Sequence, residues 1–178
     1  ATVFHQDLED EINGFVFDPV TFLSTAENME GRSKRTGLEL SGRWNFSDQI
    51  GFAASYTYTD ADEPGPTGEG IRELRRPRHA GSLSLDYQTL SEKLQFALAA
   101  DYGGERNDIF FPPFPDPSEI VTLDNYWLVD LTAQYRLTSS VVLFARGTNL
   151  LDEEYEQVYG YRTLGRAGYV GIRTAFGN

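Results

Sequence analysis

Strict alternation of apolar and polar side chains is the feature that most limits how this 178-residue chain can fold. In the segment 94–102 every second residue is apolar or aromatic, and the residues between them are small or polar. The segments 38–46, 50–58 and 127–137 show the same period of two. A period of two is typical of β-strands, whereas helices repeat every 3.6 residues, so the chain is predicted to be all-β.

The two faces of these predicted strands differ in a way that favours a membrane over a water-soluble core. One face carries charged residues in mid-strand, among them Glu39, Asp101 and Asp130, and must meet water or opposite charge. The other face is apolar and repeatedly ends in an aromatic residue, such as Trp44 or Trp127. Aromatic residues at strand ends are typical of membrane–water interfaces. The alternation therefore indicates strands with lipid on one side and an aqueous lumen on the other.

The connections between the predicted strands alternate between short and long. The short ones are 47–49, 89–92 and 138–140, and the long ones are 60–76, 106–122 and 151–164. This asymmetry is typical of outer-membrane barrels, which have short periplasmic turns and longer extracellular loops. A turn is also predicted at 18–21, which reads Asp-Pro-Val-Thr. The prediction is a transmembrane antiparallel up-and-down β-barrel, with strands at 1–14, 22–46, 49–60, 78–89, 93–104, 123–137, 140–149 and 165–176.

The charge and composition of the chain argue against several classes of function. A net charge of −12 disfavours nucleic acid as a partner, because its phosphates would be repelled. The absence of cysteine excludes a disulfide framework and a thiolate metal site. No stretch of about 18 apolar residues occurs, so no membrane-spanning helix is predicted. The chain starts inside a predicted strand and without an initiator Met, which favours a segment of a longer polypeptide.

No pattern in the sequence predicts catalysis, a cofactor or a metal centre. His5 and His79 are the only histidines, and they fall on different predicted strands without ligand spacing. The acidic runs 7–11 and 152–154 offer oxygen ligands for Ca²⁺, but solvated charge or divalent-bridged contact with lipopolysaccharide is the favoured interpretation. Neither a Gly-x-Ser-x-Gly motif nor a phosphate loop is present. The chain is therefore expected not to be an enzyme and to need no cofactor.

Several motifs resemble a known family. Residues 149–155 read Asn-Leu-Leu-Asp-Glu-Glu-Tyr, and residues 160–166 read Gly-Tyr-Arg-Thr-Leu-Gly-Arg. Upstream, residues 37–39 read Gly-Leu-Glu and residues 76–79 read Arg-Pro-Arg-His, while Phe176 ends the last predicted strand. In sequence and spacing these motifs resemble the C-terminal part of TonB-dependent outer-membrane receptors, within the group that takes up vitamin B12 and siderophores.

The resemblance implies an architecture larger than this chain. Family members have a barrel of about 22 strands with a plug in the lumen. Residues 1–178 would supply the last eight strands, and the plug would lie outside the chain. The resemblance also implies an outer-membrane location and uptake of a metal chelate, either a ferric siderophore or cobalamin. The implied partners are TonB, acting through the plug, outer-membrane lipid, lipopolysaccharide and the remainder of the barrel.

Two sets of candidate residues follow from the motifs and the long connections. Structural roles are expected for the signature residues Gly37, Glu39, Pro77, Asn149, Asp152, Tyr155, Gly160, Tyr161, Gly165, Arg166 and Phe176. Ligand contact is expected around the Phe- and Pro-rich connection, at Phe110, Phe111, Phe114, Arg106, Tyr159, Tyr161 and Arg162. The alternative for the Phe residues is packing against neighbouring loops or the outer lipid interface. An anionic ferric chelate or lipopolysaccharide phosphates could be attracted by Arg72, Arg75, Arg76, Arg106, Arg162 and Arg166.

Two other architectures fit part of the pattern. One is a small, self-contained eight-stranded barrel with a structural or adhesion role, and the other is a soluble β-sandwich binding module. The strand-like start and the whole-chain resemblance disfavour the small barrel, and the long apolar faces with aromatic ends disfavour the sandwich. Because unpaired strand edges are not viable in lipid, the eight strands are expected to pair with the remainder of the barrel or to close into a smaller barrel.

Overall fold

The computed structural model describes residues 1–18, 20–28, 31–65 and 70–176. Within these ranges no helix is long and apolar enough to cross a membrane. The described strands are β1 (Thr2–Glu9), β2 (Ile12–Asp18), β3 (Leu23–Asn28), β4 (Arg32–Asn45), β5 (Ile50–Pro64), β6 (Gly70–Arg72), β7 (His79–Gln88), β8 (Leu94–Gly103), β9 (Arg106–Phe110), β10 (Glu119–Leu123), β11 (Tyr126–Arg136), β12 (Val141–Thr148) and β13 (Ala167–Thr174).

Eight long strands form one antiparallel sheet in the order β1-β4-β5-β7-β8-β11-β12-β13, and the short β6 pairs with β5. Each long strand pairs with the long strand before it in the chain, as an up-and-down barrel wall requires. Two further hairpins, β2–β3 and β9–β10, stand apart from this sheet. The predicted antiparallel all-β fold and its eight long strands are thus confirmed.

Four of the predicted spans are wrong, and each error lies beside a long connection. The segments 1–14 and 22–46 do not run as single strands, because Asp10 and Gly31 have positive φ angles of 55° and 135° and end the β1–β4 ladder. The separate hairpin β2–β3 follows. The connection 106–122, expected to be an irregular loop, contains the hairpin β9–β10, and β5 continues to Pro64.

The turn predicted at 18–21 is present where the structure describes it. The Asp18 carboxylate accepts hydrogen bonds from the Val20 amide at 2.8 Å and the Thr21 hydroxyl at 2.6 Å. These two bonds lower the pKa of the Asp18 carboxyl, the Thr21 hydroxyl contributing most. Pro19, the second residue of the predicted turn, lies outside the described residues.

The expectation that the eight strands could close into a smaller barrel is wrong for this chain, and their pairing with the remainder of the barrel stays a prediction. In the described ranges β1 pairs only with β4, and β13 pairs only with β12, so the sheet is open at both edges. A soluble sandwich is also contradicted, because the long strands form a single sheet with no second sheet packed against it in the described structure.

The strand register sorts the side chains of the main sheet into two faces. One row across five neighbouring strands is entirely apolar and consists of Trp44, Phe52, Leu85, Leu98 and Leu131. The adjacent row, one residue away on each strand, points to the opposite face and consists of Arg43, Ala53, Ser84, Ala99 and Asp130. The two faces therefore suit lipid and water respectively.

The apolar face is not a protein core. Trp44 is 50% exposed and Leu98 is 39% exposed, and Phe52 is only partly covered. Among the side chains that the structure describes, the buried apolar ones are Ala61, Pro64 and Leu123, which all lie near the long connections. A domain that buried its apolar residues from water would show the reverse. The exposure of this face agrees with the predicted contact with hydrocarbon.

Aromatic side chains border the apolar face at both ends. Near the short turns, Trp44 pairs with Phe52 and Tyr87 with Phe96, their ring centroids 5.7 and 6.4 Å apart. Toward the long connections, the rings of Tyr102 and Trp127 pair at 4.9 Å. These two bands have the position of the girdles that mark the lipid–water boundaries of a barrel.

The two ends of the sheet differ as predicted. Three tight connections, 46–49, 89–93 and 137–140, lie at one end, which is called the turn end. Each is closed by a backbone hydrogen bond of 2.9 Å, such as that from the Phe46 amide to the Ile50 carbonyl. The four long connections 10–31, 65–78, 104–125 and 149–166 lie at the other end, which is called the loop end.

Aromatic rings cover glycines in several strands of the sheet. A Cβ atom at Gly37 would lie 2.3 Å from Cζ of Phe4 on β1 and 2.5 Å from the carbonyl oxygen of Tyr58 on β5. Both approaches are far below van der Waals contact, and the second is to backbone that cannot rotate away. Similar rings cover Gly42, Gly103 and Gly171. Gly37 therefore allows β1, β4 and β5 to pair without displacing the Phe4 ring.

Substitution of Gly37 tests this close packing. We expect Gly37→Ala to reduce the free energy of unfolding by about 1–3 kcal/mol, because the added methyl group forces a shift of backbone or ring. Gly168→Ala in β13 is the matched control, since no atom lies within 4 Å of its Cβ position. The measurement is the urea midpoint of the protein folded into lipid bilayers. Equal midpoints for the two variants would contradict this account of Gly37.

Candidate functional site

The loop end is held together by a buried carboxylate. Asp108 on β9 is completely inaccessible to solvent. Its carboxylate accepts hydrogen bonds from Nε of Arg75 at 2.7 Å, from the Ile109 amide at 2.8 Å and from the Tyr159 amide at 2.7 Å. Arg75 belongs to the connection 65–78 and Tyr159 to the connection 149–166. One side chain thus joins three long connections that are far apart in sequence.

The protonation of Asp108 follows from these contacts. Burial raises the pKa of the Asp108 carboxyl, but the amides of Tyr159 and Ile109 and the Arg75 guanidinium together outweigh burial. The pKa consequently lies below its usual value of 3.8, and the group is ionised at neutral pH. A buried carboxylate is tolerated only with such charge-assisted hydrogen bonds, so the three connections depend on one another for its stabilisation.

Arg106, two residues before Asp108 on β9, reinforces the same region. Its side chain is 4% exposed and donates to the carbonyl oxygens of Gly104, at 3.1 Å, and Glu156. The guanidinium also lies 5.1 Å from the centroid of the Tyr126 ring, a cation–π distance. Tyr126 in turn pairs with Tyr155 at 4.5 Å. Arg106 was predicted from the sequence to contact ligand, and in the structure its guanidinium binds groups of the protein itself.

The motif 149–155 forms a compact turn around Asn149. Asn149 is 5% exposed, and its side chain bonds both the amide and the carbonyl of Glu153, at 2.9 and 3.0 Å, and the carbonyl of Leu164 at 3.3 Å. Asp152 accepts hydrogen bonds from the amide and the guanidinium of Arg166, at 2.9 and 3.3 Å. The motif residues therefore fix both ends of the connection 149–166.

The remaining signature residues lie in the connection 149–166, on the polar face of the sheet and beside the strands β7 and β13. Gly160 has a φ angle of 80°, a conformation that favours glycine, and its amide bonds the Glu156 carboxylate at 2.9 Å. A Cβ at Gly165 would lie 3.2 Å from Oδ1 of Asp152. Glu39 lies on the polar face, opposite Thr57. Pro77 comes just before β7, and Phe176 follows β13 with 94% exposure.

A second ionic cluster joins the connection 10–31 to the sheet. Arg35 on β4 donates to the carboxylates of Glu11 and Glu73, each at 2.8 Å, and Arg76 also pairs with Glu73 at 2.7 Å. The hydrogen bond from Arg35 is the main reason that the pKa of Glu11 is lowered. Glu63 lies close to this cluster, and burial raises its pKa. The cluster links the connections 10–31 and 65–78.

Aromatic residues occupy the outer surface of this braced region. The Phe110 ring packs against Tyr159, with centroids 5.1 Å apart. Beyond this pair, Phe111 is 70% exposed, Phe114 is 97% exposed and Tyr161 is 73% exposed. These five residues are called the aromatic crest. The structure thus brings together the hairpin β9–β10 and the connection 149–166, which supply all of the predicted aromatic ligand contacts.

Four of the six predicted arginines bind groups of the protein, and Arg72 and Arg162 have no ion pair in the described part of the chain. Arg75, Arg76 and Arg166 form ion pairs with carboxylates of the protein, and Arg106 binds carbonyl oxygens. Arg162 has no ion pair within the described ranges, and it lines a cleft of about 570 Å³ beside Tyr159 and several carboxylates. Among the residues that the structure describes, no group of three or more His, Cys, Asp or Glu side chains is arranged to hold a metal ion.

The central residue of the site, Asp108, was not identified from the sequence. Asp108 shares one face of the strand β9 with Arg106 and Phe110, and this mixture of charged and aromatic residues gives no clear period of two in the sequence. Nothing in a single sequence indicates that Arg75 and Tyr159 converge on it, since those contacts span 33 and 51 positions.

Substitution of Asp108 tests the bracing role. We expect Asp108→Asn to lower the free energy of local opening of the loop end by about 2–3 kcal/mol, because a charge-assisted bond is lost and Arg75 is left unpaired. Asp116→Asn in the same hairpin, where the side chain is exposed, is the matched control. Hydrogen exchange of the segments 104–125 and 149–166 measures the effect. Unchanged exchange in Asp108→Asn would contradict the assignment.

The lowered pKa of Asp108 also gives a pH dependence. A carboxyl whose pKa is depressed by folding contributes stability above its unfolded value of 3.8, and the contribution disappears as pH falls through the folded value. The free energy of local opening at the loop end, obtained from exchange rates corrected for the intrinsic pH dependence of amide exchange, should therefore be constant from neutral pH down to about 4 and should decrease below it. Asp108→Asn should lack this acid transition, and its persistence in the variant would show that another group is responsible.

Comparison with known proteins agrees with this geometry. The family model described as TonB dependent receptor-like, beta-barrel matches residues 1–150. The vitamin B12 transporter BtuB of Vibrio cholerae is 30% identical over 150 residues, which are 84% of this chain and 23% of that protein. The iron-regulated outer membrane virulence protein of Vibrio cholerae is 26% identical over 194 residues, covering 98% of this chain and 28% of that protein.

Solved structures show the same fold. The ferripyoverdine receptor of Pseudomonas aeruginosa matches with a TM-score of 0.74 and 19% identity, over 97% of this chain and 24% of the receptor. The siderophore receptor PiuA of Acinetobacter baumannii matches with a TM-score of 0.72 and 21% identity, over 97% of this chain and 25% of the receptor. The chain spans about a quarter of the length of these relatives. It belongs to the TonB-dependent receptor family and forms part of an outer-membrane β-barrel wall.

Proposed function

We propose that the chain supplies wall and extracellular loops to a transporter that takes up a scarce metal chelate across the outer membrane. The eight long strands are the last eight of a barrel of about 22, and residues outside this chain complete the barrel and form its plug. TonB supplies the energy by acting on that plug. This arrangement accounts for the two open edges of the sheet, because the missing strands pair with β1 and β13.

The observation that carries the proposal is an exposed aromatic surface on a rigid base. Phe111, Phe114 and Tyr161 are each at least 70% exposed at the loop end. The connections that bear them are fixed by Asp108, which is inaccessible to solvent. Exposed aromatic side chains on ordered backbone bind large ligands at low entropic cost, since few torsions are immobilised. Such a surface suits the planar and ring-containing parts of a siderophore or corrinoid.

The named relatives support this class of ligand. One relative is called a vitamin B12 transporter, and two similar structures are called a ferripyoverdine receptor and a siderophore receptor. Arg162 is the arginine at the loop end that is exposed and has no ion pair in the described part of the chain. It is therefore available to an anionic ligand group. Binding of lipopolysaccharide phosphates is the competing role for Arg162.

No covalent chemistry belongs to this proposal. The role of the chain is binding and passage, and the relatives are named as transporters and receptors. A self-contained small barrel is a weaker candidate, because β1 and β13 do not meet in the described sheet. A soluble binding module is weaker still, because the apolar face is exposed across the whole sheet.

Uptake by intact cells tests the proposed function. Cells carrying the full-length gene should accumulate radiolabelled cyanocobalamin or a radiolabelled ferric siderophore, and accumulation should stop when TonB is deleted. A cell that lacks only the receptor gene provides the baseline. Uptake of neither chelate above this baseline, or uptake that persists without TonB, would contradict the proposal.

The aromatic crest gives a specific prediction for ligand affinity. We expect the double substitution Phe111→Ser and Phe114→Ser to weaken binding of the transported chelate at least about tenfold, or ~1.4 kcal/mol, because apolar contact area is lost. Leu90→Ser is the matched control, since Leu90 is 87% exposed at the turn end, on the opposite side of the sheet. Equilibrium binding to the purified full-length receptor measures both. An unchanged affinity in the double variant would remove the crest from the ligand site.

A further inference from the structure

The apolar face of the sheet contains a groove whose floor is made of small residues. Ala54 on β5 and Gly81 on β7 form this floor, and Gly81 pairs with Tyr56, the next outward position of β5. The neighbouring Gly42 on β4 lies beneath the ring of Trp44, which forms a wall of the groove. Both floor residues belong to the lipid-facing rows of the sheet. The groove has a volume of about 580 Å³. It interrupts a face on which most other outward positions carry large side chains.

The walls of the groove are large apolar side chains that remain exposed. Leu40 and Trp44 stand on the β4 side, and Leu83 stands on the β7 side, each between 43% and 50% exposed. The tilted ring pair of Tyr102 and Trp127 closes the end on β8 and β11. No charged side chain lines the groove in the described part of the chain. The groove therefore favours an uncharged, apolar occupant.

The width of the groove selects the shape of that occupant. Neighbouring strands lie about 4.8 Å apart, and the floor is only two to three strands wide. A helix with its side chains is about 10 Å in diameter and does not fit between the walls. A single extended hydrocarbon chain does fit, because it is thin and can follow the diagonal from Ala54 to Gly81.

The position of the groove identifies the source of the hydrocarbon chain. At its loop-end side, the Tyr56 hydroxyl bonds Nδ1 of His79 at 2.8 Å, within the aromatic band. Just beyond lies the ion pair between Arg78 and Asp60, at 2.7 Å. The groove therefore lies on the hydrocarbon side of the polar boundary at the loop end. A lipid whose headgroup rests at that boundary can extend an acyl chain into the groove.

The geometry points to a binding site for one acyl chain of a lipid from the loop-side leaflet, which the groove holds in preference to the surrounding bilayer lipid. The preference arises because a chain in the groove contacts side walls and floor together, whereas a chain on the flat face contacts one surface. This site is on the outer wall of the barrel, away from the aromatic crest. The proposal for this site does not depend on which chelate is transported.

The chain has two tryptophans, Trp44 and Trp127, and both line the groove. Quenching of their fluorescence therefore reports what occupies the groove. The full-length receptor is reconstituted in bilayers that contain increasing fractions of lipid with brominated acyl chains. The signal of Trp44 is the difference between the receptor and its Trp44→Phe form. The reference reporter is Leu98→Trp in the Trp44→Phe background, because Leu98 lies in the same row but outside the groove.

We expect half-maximal quenching of Trp44 at a brominated fraction about threefold lower than that of the Leu98→Trp reporter. Ala54→Phe fills the floor and should remove this difference. Ala100→Phe, on the same face but outside the groove, should preserve it. Migration of the unheated receptor on a gel confirms that each variant is folded. If Trp44 and the reporter are quenched alike, or if light scattering shows that a second receptor copy covers the face, the proposal is overturned.

Discussion

Hydrogen bonding between antiparallel neighbours is the interaction on which the rest of the structure depends. In hydrocarbon every backbone amide and carbonyl must find a partner inside the protein, and continuous strand pairing provides those partners. Six of the eight long strands have two long neighbours, and only β1 and β13 have one. Once pairing is continuous, the period of two assigns each side chain to lipid or lumen. The apolar row from Trp44 to Leu131 and the polar row from Arg43 to Asp130 are consequences of that single constraint.

Different interactions take over at the loop end, where the chain leaves the hydrocarbon. There, water competes for hydrogen bonds, and order has to come from specific side chains. Asp108 and Asn149 are nearly or completely buried and bond backbone groups of connections distant in sequence. Arg35 adds ionic links at the edge of the same region. The result is a set of loops that these contacts join to one another and that present exposed rings outward.

The sequence predicted the parts of the structure that local patterns determine. Alternation identified the eight strands, and connection lengths distinguished the two ends of the sheet. The sequence did not predict the features that depend on tertiary contacts. The break in the ladder at Asp10 and Gly31 depends on positive φ angles that alternation does not reveal. The bracing by Asp108 depends on contacts with Arg75 and Tyr159. The hydrogen bonds of Arg106 to internal carbonyl oxygens depend on burial that only the folded loops create.

The central claim is that β8 (Leu94–Gly103) alternates between hydrocarbon and an aqueous lumen. The chain contains no cysteine, so single nitroxide labels can be attached at cysteines introduced along β8 in the full-length receptor, after any cysteines elsewhere in it have been replaced. Accessibility to molecular oxygen should peak at Phe96, Leu98, Ala100 and Tyr102. Accessibility to a water-soluble nickel complex should peak at Gln95, Ala97, Ala99 and Asp101. Profiles without a period of two, or with the two sets exchanged, would contradict the account.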